Sequence, residues 1–130
     1  MAAITPLHKF GWRLETELLD RMQSFLKEPL TKTDNRFAVY DFDSNRYQVE
    51  LKCRKDILSS TYSTWLVPAH KLEAVTGKIP VLFYYFELED RLFVCFPKDH
   101  DQTNWIKEVP HWKQSQVHVW IPSSCFTQIN

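Results

Sequence analysis

Three charged residues that lie close together in the sequence could bind a divalent cation and activate a water molecule. Asp41 is followed by Glu50 and Lys52 in the stretch D-F-D-S-N-R-Y-Q-V-E-L-K. Cleavage of a phosphodiester needs a nucleophilic water and neutralisation of the charge that develops on the phosphate, and a hard divalent cation held by oxygen ligands supplies both. Asp41 and Glu50 would anchor the cation, with the Leu51 carbonyl as a third ligand. Lys52 would hold or deprotonate the attacking water and stabilise the developing charge, and Arg54 would grip the phosphate.

A β-hairpin over residues 37–54 is predicted to position these side chains. Polar and apolar residues alternate in its second strand, which places one polar set on a single face: Gln48, Glu50, Lys52 and Arg54. If residues 44–45 form a two-residue turn, Asp43 faces Arg46 and Asp41 lies diagonal to Glu50, with backbones about 7–8 Å apart. Asp41 is therefore the predicted partner of Glu50, and Asp43 is predicted to be an exposed ion-pair residue opposite Arg46.

The same Glu-x-Lys pattern also occurs on strands that face solvent, where cross-strand charge pairs keep the surface soluble. Phe37 and Val39 fall on the charged face in the predicted register. This placement predicts that the face is partly covered, which favours a site over a solvated surface.

The first helix adds one more carboxylate. Between about residues 10 and 27, apolar residues recur at helical spacing and form one arc: Trp12, Leu14, Leu18, Leu19, Met22, Phe25 and Leu26. Glu15 lies in the middle of that arc. Either it faces water near the start of the helix, where the helix dipole favours a negative charge, or it reaches a metal site beneath the helix.

The remaining segments predict a layered α/β domain. Residues 55–66 contain the run S-S-T-Y-S-T, which is either a turn or a phosphate-contacting loop that includes Ser60. A helix is predicted over residues 68–77, strands over 79–88, 91–96 and 117–121, and a terminal helix over 122–129. The order α-β-β-α-β-β-β-α predicts a mixed central sheet flanked by helices.

This arrangement resembles the PD-(D/E)XK, or restriction-endonuclease-like, nuclease superfamily, which has a layered α-β-β-α-β core. The resemblance rests on D-x(8)-E-x-K on a hairpin after a helix, and V-E-L-K-C-R with Thr64 and Lys71 downstream is similar to small phage- and virus-encoded members. It implies that Asp41 and Glu50 bind Mg²⁺, with Mn²⁺ able to substitute.

The resemblance further implies catalysis by Lys52 and, as in members that use an acid from the first helix, a metal contact by Glu15. It implies that Thr64 and Lys71 contact the substrate, together with Arg54 and Ser60. Tyr40 stands where the family has a proline. The chain is predicted to be one nuclease-like domain, residues 1–130, with a core at about 10–97 and a C-terminal strand and loop extension at 98–130.

Composition limits the partners and the compartment. The 130 residues contain 16 Lys and Arg and 16 Asp and Glu, so the net charge is zero and nucleic-acid binding has to come from local patches. The three cysteines show no C-x-x-C spacing, the start is unlike a signal peptide, and no apolar run reaches ~18 residues. We expect an intracellular protein, cytoplasmic or nuclear, without a membrane partner.

The function predicted from the sequence is a Mg²⁺-dependent endonuclease that acts on DNA. An RNA-cleaving member of the same superfamily is one alternative, and a non-catalytic nucleic-acid-binding or assembly module of the same fold is another. A 15.5 kDa enzyme has a small footprint, so cutting both strands predicts a homodimer or a higher oligomer.

Overall fold

A computed structural model describes residues 6–33, 40–75, 77–110 and 116–129, and the side chains of the first helix from Thr16 onward. In these ranges the chain forms three layers: one α-helix, a six-stranded mixed sheet and a three-stranded antiparallel sheet. The predicted mixed α/β class and the mixed central sheet are confirmed. The second face of the central sheet is covered by the smaller sheet rather than by a predicted helix.

Helix α1, Pro6–Leu26, covers one face of the central sheet. Its apolar residues Leu18, Met22 and Leu26 are buried against that face, as their helical spacing predicts. The helix ends where Lys27 adopts a left-handed conformation (φ 59°), with its N–H donating to the Gln23 carbonyl at 2.8 Å. Among the described residues, no helix is both long and apolar enough to cross a membrane.

The central sheet is built around two long strands that run parallel to each other. Its strands are β1 Thr31–Lys32, β2 Phe42–Asp43, β3 Tyr47–Arg54, β5 Ile79–Phe86, β6 Arg91–Cys95 and β9 Thr127–Ile129, in the spatial order β1-β2-β3-β5-β6-β9. The β3–β5 pair is parallel and the other pairs are antiparallel. Strand β5 is buried along both faces, which explains its unbroken apolar sequence.

The smaller sheet contains β4 Thr64–Pro68, β7 Ile106–Glu108 and β8 His118–Pro122, in the order β4-β8-β7. It meets the central sheet through a cluster of aromatic rings around Trp65. The Trp65 ring centroid lies 4.9 Å from that of Phe86, 5.1 Å from that of Phe93 and 4.5 Å from that of Phe126. Residues after 97 thus supply strands to both sheets.

Two predicted helices are wrong. Over residues 68–77 the chain forms only the 3-10 turn Ala69–Leu72, and over 122–129 it forms the 3-10 turn Ser123–Cys125 followed by strand β9. Short isolated helices are only marginally stable, whereas an open sheet edge offers unpaired backbone groups. The terminal segment therefore pairs with β6, with Thr127 opposite Val94.

We expect Trp65→Ala to destabilise the protein by about 3–5 kcal/mol, because it removes the ring on which the two sheets meet. Urea unfolding followed by circular dichroism would measure this loss. Tyr62→Ala removes an aromatic ring that is 58% exposed and should change the free energy of unfolding by less than about 0.5 kcal/mol. Equal small losses in both variants would contradict the aromatic interface between the layers.

Candidate metal and nucleic-acid site

The polar face of β3 is directed toward the smaller sheet and is mostly buried. Glu50 and Lys52 align with Leu82 and Tyr84 of β5, which belong to the cluster between the two sheets. Val49 and Leu51 point to the other face, where they pack against α1. The alternation predicted for β3 is confirmed, and the face that carries the candidate site is covered.

The predicted hairpin register is wrong by two residues. Phe42 pairs with Val49 and Asp43 pairs with Gln48, so residues 44–47 form a longer connection closed by a 3.0 Å hydrogen bond from the Ser44 N–H to the Tyr47 carbonyl. Because the shift is even, Asp43 remains on the polar face, opposite Gln48. The predicted pairing of Asp43 with Arg46 is replaced by an ion pair between Asp43 and Lys78.

Glu28, which follows the first helix, decides this register. Its carboxylate accepts a hydrogen bond from the Ser44 hydroxyl at 2.7 Å and forms an ion pair with Arg46. The Ser44 hydroxyl oxygen in turn accepts a hydrogen bond from the Tyr47 N–H at 3.0 Å. These contacts hold the pKa of Glu28 below its usual range and favour the longer turn over the two-residue turn.

A β-bulge aims Asp41 at the second half of β3. The Asp41 N–H donates to the Val49 carbonyl at 2.8 Å, and the next residue, Phe42, also lies opposite Val49 in the strand pairing. Two consecutive residues therefore face one residue of β3, an arrangement that redirects side chains. The Asp41 Oδ2 accepts a hydrogen bond from the Leu51 N–H at 2.9 Å.

The hydrogen bond from the Leu51 N–H to the Asp41 carboxylate also indicates where the Leu51 carbonyl lies. The N–H and C=O of one strand residue point toward the same neighbouring strand, so the Leu51 carbonyl lies on the same side of β3 as the Asp41 carboxylate. Thr33 supports the bulge, because its hydroxyl donates to the Tyr40 carbonyl at 2.7 Å.

Glu50 is a buried carboxylate surrounded by charges. Burial and the negative charge of Asp41 together raise its pKa to about 7, against the opposing effects of Lys71 and Lys52. The Lys71 Nζ lies 3.1 Å from the Glu50 Oε2. That oxygen nevertheless has no hydrogen-bond partner in the described part of the chain, so the contact with Lys71 is an ion pair without hydrogen-bond geometry.

Gln48 brings Lys71 to this position. Its side chain donates to the Glu73 carbonyl at 2.7 Å and accepts from the Val75 N–H at 2.6 Å, which fixes the segment that follows the 3-10 turn Ala69–Leu72. Our sequence interpretation did not assign Gln48 a role. Its place on the polar face, two residues before Glu50, was the available signal.

The structure brings four of the predicted residues together and leaves others apart. Asp41, Lys52 and Lys71 all act on the pKa of Glu50. Arg54 and Thr64 line a neighbouring cleft. The loop that contains Ser60 is held at Ser59, whose N–H donates to the Glu89 carboxylate at 2.6 Å, near the far end of β5. The Glu15 side chain lies outside the described residues.

The donor set around Glu50 suits a hard divalent cation. Two carboxylates and a backbone carbonyl are oxygen ligands, and Mg²⁺ is often bound by one or two carboxylates together with waters and substrate phosphates. The buried Glu50 Oε2, which Lys71 contacts at 3.1 Å without a hydrogen bond, is the atom that such an ion would bind. In the described ranges, no three His, Cys, Asp or Glu side chains are grouped for metal binding. Asp41, Glu50 and the Leu51 carbonyl therefore fit Mg²⁺ as a two-carboxylate set.

A comparison with models of known protein families found no match, and a comparison with curated proteins found none either.

We expect Glu50→Gln to stabilise the protein at about pH 8 and to have little effect at about pH 5. The pKa of Glu50 is raised from 4.5 to about 7 in the folded protein, so the folded state favours the protonated carboxyl. This contribution to stability is fully present below about pH 4.5 and is lost as the pH rises through about 7. The loss amounts to about 3 kcal/mol, and the neutral amide avoids it. Urea unfolding at both pH values measures the difference.

Glu108→Gln, at an exposed carboxylate on β7, provides the matched control and should show no such pH dependence. If the difference in the free energy of unfolding between wild type and Glu50→Gln stays constant from pH 5 to pH 8, Glu50 does not titrate in this range.

Proposed function

We propose that the protein is a divalent-metal-dependent endonuclease that hydrolyses phosphodiester bonds in DNA, with Asp41, Glu50 and Lys52 at its active site. The observation that supports it is the buried Glu50 carboxylate, whose Oε2 has the Lys71 Nζ at 3.1 Å but no hydrogen bond in the described residues, and whose pKa is raised by burial and by the charge of Asp41. Burying a carboxylate near a second, half-buried one is unfavourable unless a cation compensates the charges. The one-residue spacing of Glu50 and Lys52 places an ammonium group on the same face.

Each residue has a separate role in this proposal. Asp41, Glu50 and the Leu51 carbonyl would hold Mg²⁺ or Mn²⁺, which when bound would neutralise phosphate charge and favour ionisation of a bound water. Lys52 would orient the attacking water and stabilise the negative charge that develops on the phosphate. The Leu51 N–H fixes one Asp41 oxygen at 2.9 Å and so positions that carboxylate before substrate binds.

Lys71 has a supporting role. Its ammonium group, 3.1 Å from Glu50, favours the ionised carboxylate and thereby opposes the effect of burial. An ionised Glu50 is needed for a metal ligand, and a positive charge at this place also attracts a phosphate.

The proposal includes self-association and an intracellular location. Strand β7 lies at the edge of the smaller sheet, and Ile106, Val109 and Val117 are exposed apolar residues on or near it. An apolar edge of this kind suits a homodimer or a higher homo-oligomer, which would let a small enzyme cut two strands. The free thiols of Cys53, Cys95 and Cys125 suit a reducing compartment, the cytoplasm or the nucleus.

One contact favours a second candidate function. The Lys71–Glu50 ion pair already places a cation at the buried carboxylate. A non-catalytic module of the same fold, which binds nucleic acid or joins an assembly, would use this pair only for structure. The two candidates differ in whether a divalent metal binds Glu50.

We expect the wild-type protein to nick supercoiled plasmid DNA in Mg²⁺ or Mn²⁺ and to be inactive in EDTA. Glu50→Gln and Lys52→Ala should each lower the rate at least about 100-fold, because one removes a metal ligand and the other removes a positioned charge. Agarose gels that resolve supercoiled, nicked and linear DNA measure the rate, and a labelled RNA of the same sequence tests the alternative substrate.

Two exposed residues serve as matched controls in this assay. Glu108→Gln and Lys98→Ala alter the same residue types at exposed positions outside the candidate site and should retain the wild-type rate. Equal residual cleavage in wild type, Glu50→Gln and Lys52→Ala would identify a contaminating nuclease and would refute the assignment.

We also expect Mg²⁺ or Mn²⁺ to raise the melting temperature, more strongly at about pH 8 than at about pH 6. Glu50 must lose its proton to bind a metal, so the apparent affinity should fall about tenfold for each pH unit below its pKa of about 7. Thermal unfolding monitored by fluorescence, titrated with metal at each pH, measures this affinity without any activity.

Glu50→Gln should abolish the metal-induced shift, and Glu108→Gln should preserve it. If the shift persists in Glu50→Gln, the metal binds elsewhere. If the wild type shows no shift at either pH, the ion pair with Lys71 is structural and the non-catalytic module is the better description.

A further inference from the structure

A cleft of about 420 Å³ adjoins the candidate site on the same face of β3. It is lined by Arg54 of β3, by Tyr84 and Phe86 of β5, by Thr64, Trp65 and Leu66 of β4, and by Ile57, Tyr62 and Trp120. Arg54 aligns with Phe86, as Lys52 aligns with Tyr84, so the cleft continues the row of Glu50 and Lys52. Arg54 lies two residues beyond Lys52, or about 7 Å along the strand.

The lining has the chemistry of a base-binding site. Trp65 and Phe86 border the cleft from within the buried aromatic cluster, whereas the Tyr62 side chain is 58% exposed and available to stack on a ligand at the rim. Stacking on aromatic rings is sequence-tolerant, because every base offers a π-face.

Arg54 supplies a positioned positive charge. The half-buried Arg54 lies beside the Tyr84 hydroxyl. Burial raises the pKa of that hydroxyl, and the charge of Arg54 opposes this increase. The Tyr84 hydroxyl donates to the Leu66 carbonyl at 3.1 Å, which ties β5 to β4 at this point. A guanidinium group at the wall of an aromatic cleft can stack on a base or bind a phosphate.

We propose that this cleft binds the unpaired base of a single-stranded nucleic acid whose neighbouring phosphate lies at Lys52. This inference rests on the proposed function, which supplies the position of the phosphate. It narrows the substrate class to single strands or to strands with extruded bases. A base in a duplex is covered on both sides by its stacked neighbours and cannot enter a cleft of this size without leaving the helix. The charges of Lys52 and Arg54 favour a phosphate-bearing chain over an uncharged aromatic ligand.

Binding in EDTA tests the inference without any cleavage. Fluorescence anisotropy would compare a short labelled single strand with the same strand as a duplex and with an abasic strand of equal length. We expect the single strand to bind roughly 5- to 150-fold more tightly than the abasic strand, because one stacked base is lost. Equal binding of the single strand, the duplex and the abasic strand would overturn the proposal.

Variants at the rim assign the effect to this cleft. Tyr62→Ala should weaken single-strand binding by a similar factor, and Tyr62→Phe, which keeps the ring, should restore it. Arg54→Gln should weaken binding, whereas Arg21→Gln, on the helix that covers the opposite face of the sheet, should not. Leu88→Ala removes a 63% exposed apolar side chain outside the cleft and should bind like wild type. Unchanged binding in both Tyr62→Ala and Arg54→Gln would overturn the proposal.

Three further outcomes distinguish a free nucleotide from a chain ligand, and the cleft proposal from the nuclease proposal. A mononucleotide that binds as tightly as the single strand would overturn the proposed chain ligand in favour of a free nucleotide. Base-dependent binding in a protein that never cleaves would support the cleft and refute the nuclease. Cleavage that depends on Glu50, combined with equal binding of abasic and intact strands, would support the nuclease and overturn the cleft.

Discussion

A carboxylate that leaves water must either keep its proton or find a cation, and Glu50 is placed under this constraint by the smaller sheet. Burial raises its pKa to about 7, and the charge of Asp41 acts in the same direction. Lys71, 3.1 Å away, supplies part of the compensation. That contact is an ion pair without a hydrogen bond, and the incompletely compensated Glu50 Oε2 is the feature on which the proposed metal site depends.

The architecture explains why this imbalance arises in the middle of β3. The bulge at Asp41 ends regular pairing with β2, so the Leu51 N–H binds a side chain instead of a neighbouring strand. On the other side, Gln48 fixes the segment that brings Lys71 over the sheet. The Asp41 carboxylate, the Leu51 backbone and the Lys71 ammonium group therefore lie near Glu50 where the regular sheet is interrupted. Such interruptions are common near functional sites.

The smaller sheet has two consequences for the same face. Over Glu50 it excludes water and strengthens every electrostatic interaction, and next to Arg54 it leaves an open cleft with aromatic walls. Chemistry and base recognition would then follow one another along β3, separated by the rise of two strand residues. A chain without net charge would then bind a nucleic acid through local positive groups, Lys52, Arg54 and Lys71.

The sequence by itself determined the features that depend on local periodicity: helix α1, the polar face of β3 and the doubly buried strand β5. It also named Asp41, Glu50 and Lys52 as candidates from their residue types and spacing, and Lys71 through the resemblance to the nuclease superfamily. The tertiary structure alone decided the hairpin register, through the distant carboxylate of Glu28. It also decided that the smaller sheet, in which β4 pairs with β8, covers the second face of the central sheet instead of a helix. It also decided the contact of Lys71 with Glu50, which lies 21 residues earlier in the chain. Such contacts join segments that no local pattern relates, so their energies appear only once the layers have met.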